Sequence, residues 1–443
     1  MYNPLPLAVF IATIFLVFKH PFVRIPLTYK YIHLDYGLAP VLGVIFLIIT
    51  LSAPPAVVLS GIFGSDGLKP YSVLILILSL SYICISLEIS GFFEYISLRV
   101  ARLAGNSGRR LFLYIFLLTL LLTLFTDNDI IILTMTFIVL YIARNSGMKP
   151  MPFLFAQFFA VNIAGMALYI GNPTNIVVAD AAGINFAEYA KWMLLPSLVS
   201  AVACLGMLWL IFRQDIPQKI DGPGLSVVSI RDKKSASFGL LALILVIVLM
   251  SIPSSWTGLP VWIFPLIMAS AVLVNDALRY RSGVFHVVSK VPWKTVPFLL
   301  GLFIIIESMA SAGWISLFSD VVGYLSGSML GMVFGVCVLS SLMACLMNHH
   351  PMVIFFVRGI QGLQLPATQR LGSSLALIAG SNFGANLTLI GALAGIMWAD
   401  ILSERGQNIS FSKFSKYGFA VMIPVTLVAC ATLMLELVLW GAG

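Results

Sequence analysis

Long apolar runs alternate with short polar segments along almost the whole chain. Each run approaches the roughly 20 residues that an α-helix needs to cross a bilayer, and such runs are rare in soluble domains. We therefore predict an all-α polytopic membrane protein with about 10–12 transmembrane segments. The runs lie at residues 38–53, 71–87, 111–125, 195–212, 238–252, 259–274, 296–312, 329–347 and 418–440.

The composition and the charge distribution favour the same class. The 443 residues are 60% hydrophobic and 9% charged, with a mean hydropathy of +1.04, whereas about a quarter of a soluble domain is charged. The net charge of +8 is concentrated between the apolar runs, as expected for cytoplasmic loops. We expect a multi-pass protein of a prokaryotic inner (plasma) membrane, in contact with the lipid bilayer and with no nucleic acid. The sequence is also compatible with a homodimer.

Matching motifs occur in the same order on either side of a polar stretch at residues 213–237. "EISGFFEY", "LFTDNDIIIL" and "YIGNPTNIVVA" in the first half match "ESMASAGW", "CLMNHHPMVI" and "NFGANLTLIGA" in the second. This order indicates an internal repeat. We expect N-terminal transmembrane segments at 1–69, a first transport repeat at 70–212, a polar linker loop at 213–237, intervening transmembrane segments at 238–289 and a second transport repeat at 290–443.

Loop charge suggests that the two repeats have opposite orientations in the membrane. The loop after the first element of the first half carries Arg99, Arg102, Arg109 and Arg110, whereas residues 316–328 of the second half carry only Asp320. Opposite charge bias is what opposite sidedness predicts. We therefore expect two inverted structural repeats.

Each half also contains two polar interruptions within apolar sequence, at residues 126–129 and 171–175 and at residues 348–351 and 381–386. Non-helical backbone at membrane depth is tolerated only where protein buries it or where it lines a watery cavity. We expect broken helices and re-entrant hairpins that meet near the membrane midplane. Their helix N-termini would direct backbone N–H groups at an anion or an oxygen-rich solute.

Ionisable residues in these interruptions are candidates for proton coupling. Asp127 and Asp129 lie between two apolar runs, where a carboxylate must be hydrated, paired or protonated. His349 and His350 occupy the matching interruption of the second half, and histidine changes charge near neutral pH. Glu88 and Glu307 lie near segment ends, and we expect them at the membrane interface or in helix pairing.

These motifs together resemble the bacterial arsenical-efflux permease family, over about residues 40–440. That family lies within an ion transporter superfamily that includes sodium/proton antiporters and divalent-anion carriers. "SGFFEYISLRVARLAGNSGRRLFLYIF" is similar to the family's signature, as are "FTDNDIIILTMT", "GNPTNIV", "MNHHPM" and "GANLTLIGALAGIMW". The resemblance implies proton-driven export of arsenite and antimonite. Four residues depart from the family pattern in or beside the expected site: Asp127, Phe137, His349 and Asn386.

We therefore predict a secondary active transporter that exports arsenite or antimonite against protons by alternating access. We expect no cofactor beyond a coupling proton or sodium ion, and no enzyme, because the sequence offers no nucleophile–base set, metal motif or nucleotide loop. The alternatives are a sodium- or proton-coupled carrier of a divalent anion such as a dicarboxylate or sulfate, and a sodium/proton antiporter.

The predicted site consists of two groups of residues. Asp127, Asp129 and His349 are the candidates for proton coupling. The candidates for solute binding are Asn128, Asn172, Pro173, Thr174, Asn175, Asn348, His349, Gly384, Asn386 and Thr388.

Overall fold

The computed structural model describes residues 3–19, 21–24, 31–64, 68–220, 229–252, 254–279 and 284–440. Residues 221–228 of the predicted polar linker lie outside the described residues. Helices dominate the described part of the chain, so the predicted all-α class is confirmed. Two short strands are the exception: β1 (Phe22–Arg24) pairs antiparallel with β2 (Tyr31–His33), which the apolar pattern did not predict.

The helices of the first half precede the polar linker. They are α1 (Leu5–Lys19), α2 (Leu38–Ile49), α3 (Pro55–Phe63), α4 (Pro70–Ile89), α5 (Phe92–Leu103), α6 (Gly108–Leu124), α7 (Asn128–Ser146), α8 (Met151–Gly165), α9 (Pro173–Ala182) and α10 (Phe186–Phe212), with a 3₁₀ turn at Tyr169–Gly171 between α8 and α9.

The helices of the second half follow the linker. They are α11 (Lys233–Met250), α12 (Ser254–Thr257), α13 (Ile263–Arg279), α14 (Val284–Lys290), α15 (Thr295–Ser311), α16 (Trp314–Ser326), α17 (Val336–Met347), α18 (His349–Gln361), α19 (Ala367–Leu387), α20 (Leu393–Glu404) and α21 (Phe411–Trp440), with a π-helical turn at Gly331–Gly335 and a 3₁₀ turn at Leu389–Gly391.

Six helical stretches of the described chain are long and apolar enough to cross a membrane by length and composition. Four further apolar helices are shorter. Many large apolar side chains on these helices face outward, including Leu198 and Val202 on α10 and Ile423 and Leu427 on α21. An exposed apolar surface of this extent is what lipid contact requires. The six stretches are Pro70–Ile89, Asn128–Ser146, Phe186–Phe212, Lys233–Met250, Val284–Ser311 and Phe411–Trp440.

Helices α4 to α10 and α15 to α21 follow the same plan. Gly91 after α4 and Gly313 after α15 both take a left-handed conformation, with φ of 83° and 85°. Glycine adopts this region without the steric cost that other residues meet, so both halves turn sharply at the same point. Each half then has a helix pair that meets at a tight junction, followed by a helix interrupted at a 3₁₀ turn and a long final helix.

The two halves pack against each other at their centre. Within the halves, α6 packs on α8 and α17 on α19; between them, α9 packs on α18 and α20 packs on α7. The long final helices α10 and α21 also pack together. The contact of α9 with α18 and that of α20 with α7 correspond to each other when the halves are interchanged, as in a structure with approximate two-fold symmetry.

Contacts at the helix ends define two faces of the molecule. The start of α4 lies beside the end of α9, since the backbone N–H of Lys69 donates to Asp180, and a groove joins the ends of α9 and α18. The end of α4 lies beside the polar linker, because the N–H of Asp232 donates to Ser90. We call the face with Asp232 the linker face and the face with Asp180 the distal face.

Helix α15 runs in the opposite direction to α4. Lys290, just before α15, lies with Arg231 of the linker on the wall of one cavity at the linker face. Glu307, near the end of α15, pairs with Arg358, near the end of α18 at the distal face, at 2.5 Å between Oε2 and Nη2. The corresponding helices of the two halves thus enter the structure from opposite faces.

The close packing of α17 on α19 gives a test of the fold. A Cβ at Gly384 would lie 2.5 Å from the Cβ of Ala344 and 2.9 Å from the carbonyl oxygen of Ser341. Overpacking of this kind costs about 1–3 kcal/mol, so Gly384→Ala should lower the melting temperature of the detergent-purified protein. Gly206→Ala is the matched control, because a Cβ there would meet nothing within 4 Å. Equal melting temperatures for the two variants would contradict this packing.

Candidate functional site

Four helix N-termini meet inside the apolar part of the molecule, where the chain is interrupted. They belong to α7, which follows the interruption at Asp127, to α9 after Asn172, to α18 after Asn348, and to α20 after Ala392. The first three interruptions lie where the sequence predicts them. The fourth does not.

The last interruption lies after the predicted one. Residues 381–386 are helical in α19, which continues to Leu387, and the chain leaves the helix only at Thr388. Gly384 and Asn386 are therefore not in a break, and a correction to the repeat alignment follows. The turn at Leu389–Gly391 corresponds to the turn at Tyr169–Gly171, so Gly171 matches Gly391 rather than Gly384. The reason is packing, since Gly384 lies on the face of α19 that packs closely on α17.

Side chains cap three of the four N-termini. Asp127 accepts a hydrogen bond from the N–H of Asp129 at 2.9 Å, Asn172 from that of Thr174 at 3.0 Å, and Asn348 from that of His350 at 3.2 Å. Asn348 does this with a φ of 71° and a ψ of 153°, a conformation that is rare for residues other than glycine. Ala392 provides no side-chain cap for α20. The first turn of α20 therefore keeps backbone N–H groups for another acceptor.

All four N-termini border one cavity of about 390 Å³. Asp127 and Asp129 line it from α7, Pro173 from α9, His350 from α18, and Leu393 from α20. The remaining walls come from α4, from α15 and from the segments before α2 and α15. The other polar residues of the lining are Tyr36, Ser81, Glu88, Lys290 and Thr295.

The cavity continues toward the linker face. Glu88, Phe137 and Lys290 line both this cavity and a second one of about 340 Å³, which Glu94, Arg231 and His286 also border. Toward the distal face, Arg358 and Glu307 form their ion pair with side chains only 12% and 16% exposed. The cavity thus extends toward the linker face, whereas a largely buried ion pair joins α15 to α18 toward the distal face.

Most of the predicted asparagines lie behind the cavity wall rather than in it. Asn172 donates to Asn382 at 3.0 Å, and Asn382 donates to Asn175 at 2.9 Å. Asn128 donates to Asn162, which donates to Asn386 at 2.8 Å. These amides are buried, and they join the first half to the second.

Two further predicted residues have similar positions. Thr174 is within hydrogen-bonding distance of Ser381, at 3.3 Å between the hydroxyl oxygens, and this contact also crosses between the halves. Thr388 is buried at the end of α19. Of the predicted solute-binding set, only Pro173 lines the cavity, whereas Asp127 and Asp129 of the proton-coupling set both line it.

The two histidines of α18 have different environments. The ring of His350 lines the cavity and packs edge-on against Phe298, with ring centroids 5.8 Å apart. The predicted His349 is buried beside it, with the two imidazole centroids 4.4 Å apart, and is not on the cavity wall. Within the described residues, Nδ1 of His349, Oδ1 of Asn128 and Nδ2 of Asn348 have no hydrogen-bond partner.

Sequence reasoning missed several residues of this region. Asn162 and Asn382 are the central members of the two amide chains. They are 220 residues apart, which is the spacing of the repeat, so the position of Asn382 could have indicated Asn162. Glu88 was expected at the interface or in helix pairing, yet it lines the cavity and accepts a hydrogen bond from Thr134. Glu307 does pair two helices.

The electrostatic balance of the cavity follows from these positions. Each helix N-terminus carries roughly half a positive elementary charge, so the four together contribute roughly +2. Asp127 and Asp129, when ionised, would cancel this charge. The cavity can therefore be close to neutral or strongly electropositive, and the protonation of the two carboxyl groups decides which.

A model of the citrate transporter family (CitMHS) matches residues 13–378. The chain belongs to this family.

Curated relatives of this CitMHS member include two arsenical pump membrane proteins. The protein from Yersinia enterocolitica is 30% identical over 364 residues, which are 80% of this chain and 84% of that protein. The protein from Escherichia coli (strain K12) is 30% identical over 361 residues, again 80% and 84%. The resemblance to arsenical permeases that the motifs indicate is thus confirmed.

The fold also matches a solved transporter structure. The YdaH transporter of Alcanivorax borkumensis superimposes with a TM-score of 0.56 over 99% of this chain and 98% of that one, at 15% identity. At this identity the likeness concerns the fold alone. The CitMHS member is therefore a multi-pass membrane transporter by family, and it shares its fold with the YdaH structure.

The amide chains give a stability test that is separate from transport. Asn382→Ala would leave the buried side chains of Asn172 and Asn175 without the partner that joins them, and an unsatisfied buried polar group costs about 1–3 kcal/mol. The melting temperature in detergent should fall. Asn145→Ala is the control, because Asn145 is exposed and contacts only a carbonyl of its own helix. A melting temperature unchanged by Asn382→Ala would rule out a stabilising amide chain.

Proposed function

We propose that this CitMHS family member exports trivalent arsenic or antimony hydroxide in exchange for protons. The observation that carries the proposal is the pair Asp127 and Asp129 on the wall of a cavity bordered by four helix N-termini. The names of the Yersinia and Escherichia relatives support the choice of solute. Asp127 departs from the arsenical-permease pattern, and its place in the cavity gives the site a second carboxyl group.

The charge balance favours a neutral solute when both carboxyl groups are ionised. Arsenite and antimonite near neutral pH are largely uncharged hydroxides with O–H donors and oxygen acceptors. An ionised carboxylate accepts an O–H hydrogen bond, and protonation removes much of that capacity. The backbone N–H groups of α20, which no side chain caps, would bind the hydroxide oxygens.

Exchange follows from competition for the same oxygens. A proton on Asp127 or Asp129 and the O–H donor of a bound solute require the same carboxylate lone pairs, so each disfavours the other. Differential binding of this kind couples two equilibria. Solute would bind from one side as protons leave, and protons would bind from the other side as solute leaves. His350, across the cavity from α7, would contact the solute rather than carry the proton.

Alternating access would use the two halves as an inverted repeat. The opposite directions of α4 and α15 and the reciprocal packing of α9 on α18 and α20 on α7 support this arrangement. Basic residues such as Arg99, Arg110 and Arg213 suggest that the linker face is cytoplasmic. The described state, open at the linker face, would then be inward-facing.

A divalent anion is the second candidate. With both carboxyl groups protonated, roughly +2 of helix-dipole charge would remain in the cavity, and the uncapped α20 offers anion-binding N–H groups. The description of the family as citrate transporters supports this candidate. An anion of this kind would move together with protons or sodium rather than against them. A sodium/proton antiporter would use the same two acids without an organic or metalloid solute.

Removing one carboxylate tests the proton step. Asp129→Asn should abolish arsenite uptake driven by a pH gradient in everted vesicles, because the amide neither ionises nor accepts as a carboxylate does. Asp320→Asn, at an exposed position of α16, is the matched control and should transport like the parent. Expression and melting temperature of both variants should remain those of the parent. Unimpaired proton-driven uptake by Asp129→Asn would refute the assignment of Asp129 to the proton step.

A solute panel in proteoliposomes separates the candidates. Arsenite, antimonite, citrate, succinate, phosphate and sulfate would each be offered with an imposed pH gradient or an imposed sodium gradient. We expect arsenite and antimonite to move only with the pH gradient and in the opposite direction to the protons. Movement of citrate or succinate in the same direction as the coupling ion, with no movement of arsenite, would replace the first candidate with the second.

A further inference from the structure

An acidic residue occupies the same position on α9 and α20. The stretches Ile170–Asp180, "IGNPTNIVVAD", and Ile390–Asp400, "IGALAGIMWAD", share Ile, Gly, Ile, Ala and Asp at equal spacing. The 3₁₀ turns and helix starts fix the same alignment. Asp180 and Asp400 are therefore equivalent residues of the two halves, although neither was part of the predicted site.

At the distal face, Asp180 holds α9 against the start of α4. Its Oδ2 accepts a hydrogen bond from the backbone N–H of Lys69 at 3.2 Å, and its carboxylate also interacts with the side chain of Ser72. Lys69 is the N-cap of α4 and gives that helix no side-chain cap. A carboxylate at a helix N-terminus is stabilising because it satisfies free N–H groups and faces the positive end of the dipole.

At the linker face, the equivalent helices are apart. Lys294 is the N-cap of α15 as Lys69 is of α4, and it too gives no side-chain cap. The cavity lies between this helix and α20, since Thr295 and Phe298 of α15 and Met397 of α20 all line it. By contrast, α9 packs directly on α4. The contact between α9 and α4 is thus formed, whereas the equivalent contact between α20 and α15 is not.

Asp400 is in position to close the open contact. It lies three residues after Met397 and so on the same face of α20, one turn nearer the linker face. Its side chain is exposed, whereas Asp180 is partly buried in its contact. Lys294, at the other side of the cavity, forms an ion pair with Asp35 in the described structure, at 2.6 Å between Nζ and Oδ2.

We infer that Asp180 and Asp400 are alternating latches: Asp180 caps α4 when the distal face is closed, and Asp400 caps the N-terminus of α15 when the linker face is closed. The inference rests on the proposed alternating access but not on the solute. Each latch joins a carboxylate to a helix N-terminus. Breaking one latch and forming the other therefore replaces one contact with another of the same kind. The two states can then be close in free energy, as a transport cycle requires.

Paired cysteines test both contacts directly. In a background without the five native cysteines, Ser72→Cys with Asp180→Cys should form a disulfide rapidly in resting membrane vesicles. Pro297→Cys with Asp400→Cys places one cysteine three residues after the N-cap of α15, as Ser72 is after the N-cap of α4, and the other at Asp400. This pair should crosslink more slowly, because oxidation traps the state in which the linker face is closed. Crosslinking is scored after cleavage at an engineered protease site between the two positions.

The same four cysteines provide the controls. The exchanged pairs, Ser72→Cys with Asp400→Cys and Pro297→Cys with Asp180→Cys, join opposite faces and should not crosslink in any state. If Pro297→Cys with Asp400→Cys reacts no faster than these exchanged pairs, the latch is refuted. Since no solute is added, a wrong assignment of the solute leaves this readout unchanged, so the two failures are distinguishable.

A charge variant tests the energetic role of the distal latch. Asp180→Asn, added to the Pro297→Cys/Asp400→Cys protein, replaces the charged hydrogen bond to the N–H of Lys69 with a weaker neutral one, so the described state is held less strongly. The crosslinking rate should rise by roughly tenfold. Asp215→Asn is the control, because its carboxylate forms an exposed ion pair with Lys149 that joins neither α9 nor α4. An unchanged or lower rate for Asp180→Asn would show that the carboxylate does not hold the distal face closed.

Discussion

The structure depends on one constraint: backbone N–H and C=O groups at membrane depth must find partners without water. Four helices begin inside the apolar interior, and each leaves N–H groups that its own helix cannot satisfy. Asp127, Asn172 and Asn348 satisfy three of these ends. The fourth, at Ala392, has no side-chain cap and borders the cavity. The polar residues of the interior thus follow from the need to start helices there.

The same constraint explains why polar side chains of the interior have different positions, some behind the cavity wall and some on it. The buried amide chains through Asn162 and Asn382 tie the two halves together. Asp127 has two roles, since it caps α7 with one oxygen and lines the cavity. Asp129 lines the cavity without capping a helix in the described structure. The charge of the site therefore depends on groups that the fold itself requires.

The sequence predicted the fold class and three of the four interruptions, because apolar runs and clustered Asn, Gly and Pro report directly on membrane helices and their ends. It did not predict the end of α19, since Gly384 and Asn386 have the composition of a turn but lie where α19 packs on α17 and α8. Asn172 and Asn175 were predicted to bind solute, and in the described structure their side chains form hydrogen bonds with Asn382 behind the cavity wall. An asparagine suits a cap, an amide chain or a ligand equally well, so only the three-dimensional arrangement distinguishes these roles. Asp127 and Asp129 do line the cavity, and their role in proton coupling stays a prediction.

In the proposed mechanism, solute and proton compete for the carboxylates of Asp127 and Asp129. Calorimetric titration of arsenite into the purified protein, at mildly acidic pH and in buffers of different ionisation enthalpy, measures the protons released on binding. If the two compete, about one to two protons should be released per arsenite bound, and that release should be lost when both residues are replaced by Asn. Arsenite binding with no proton release in the parent protein would contradict this competition.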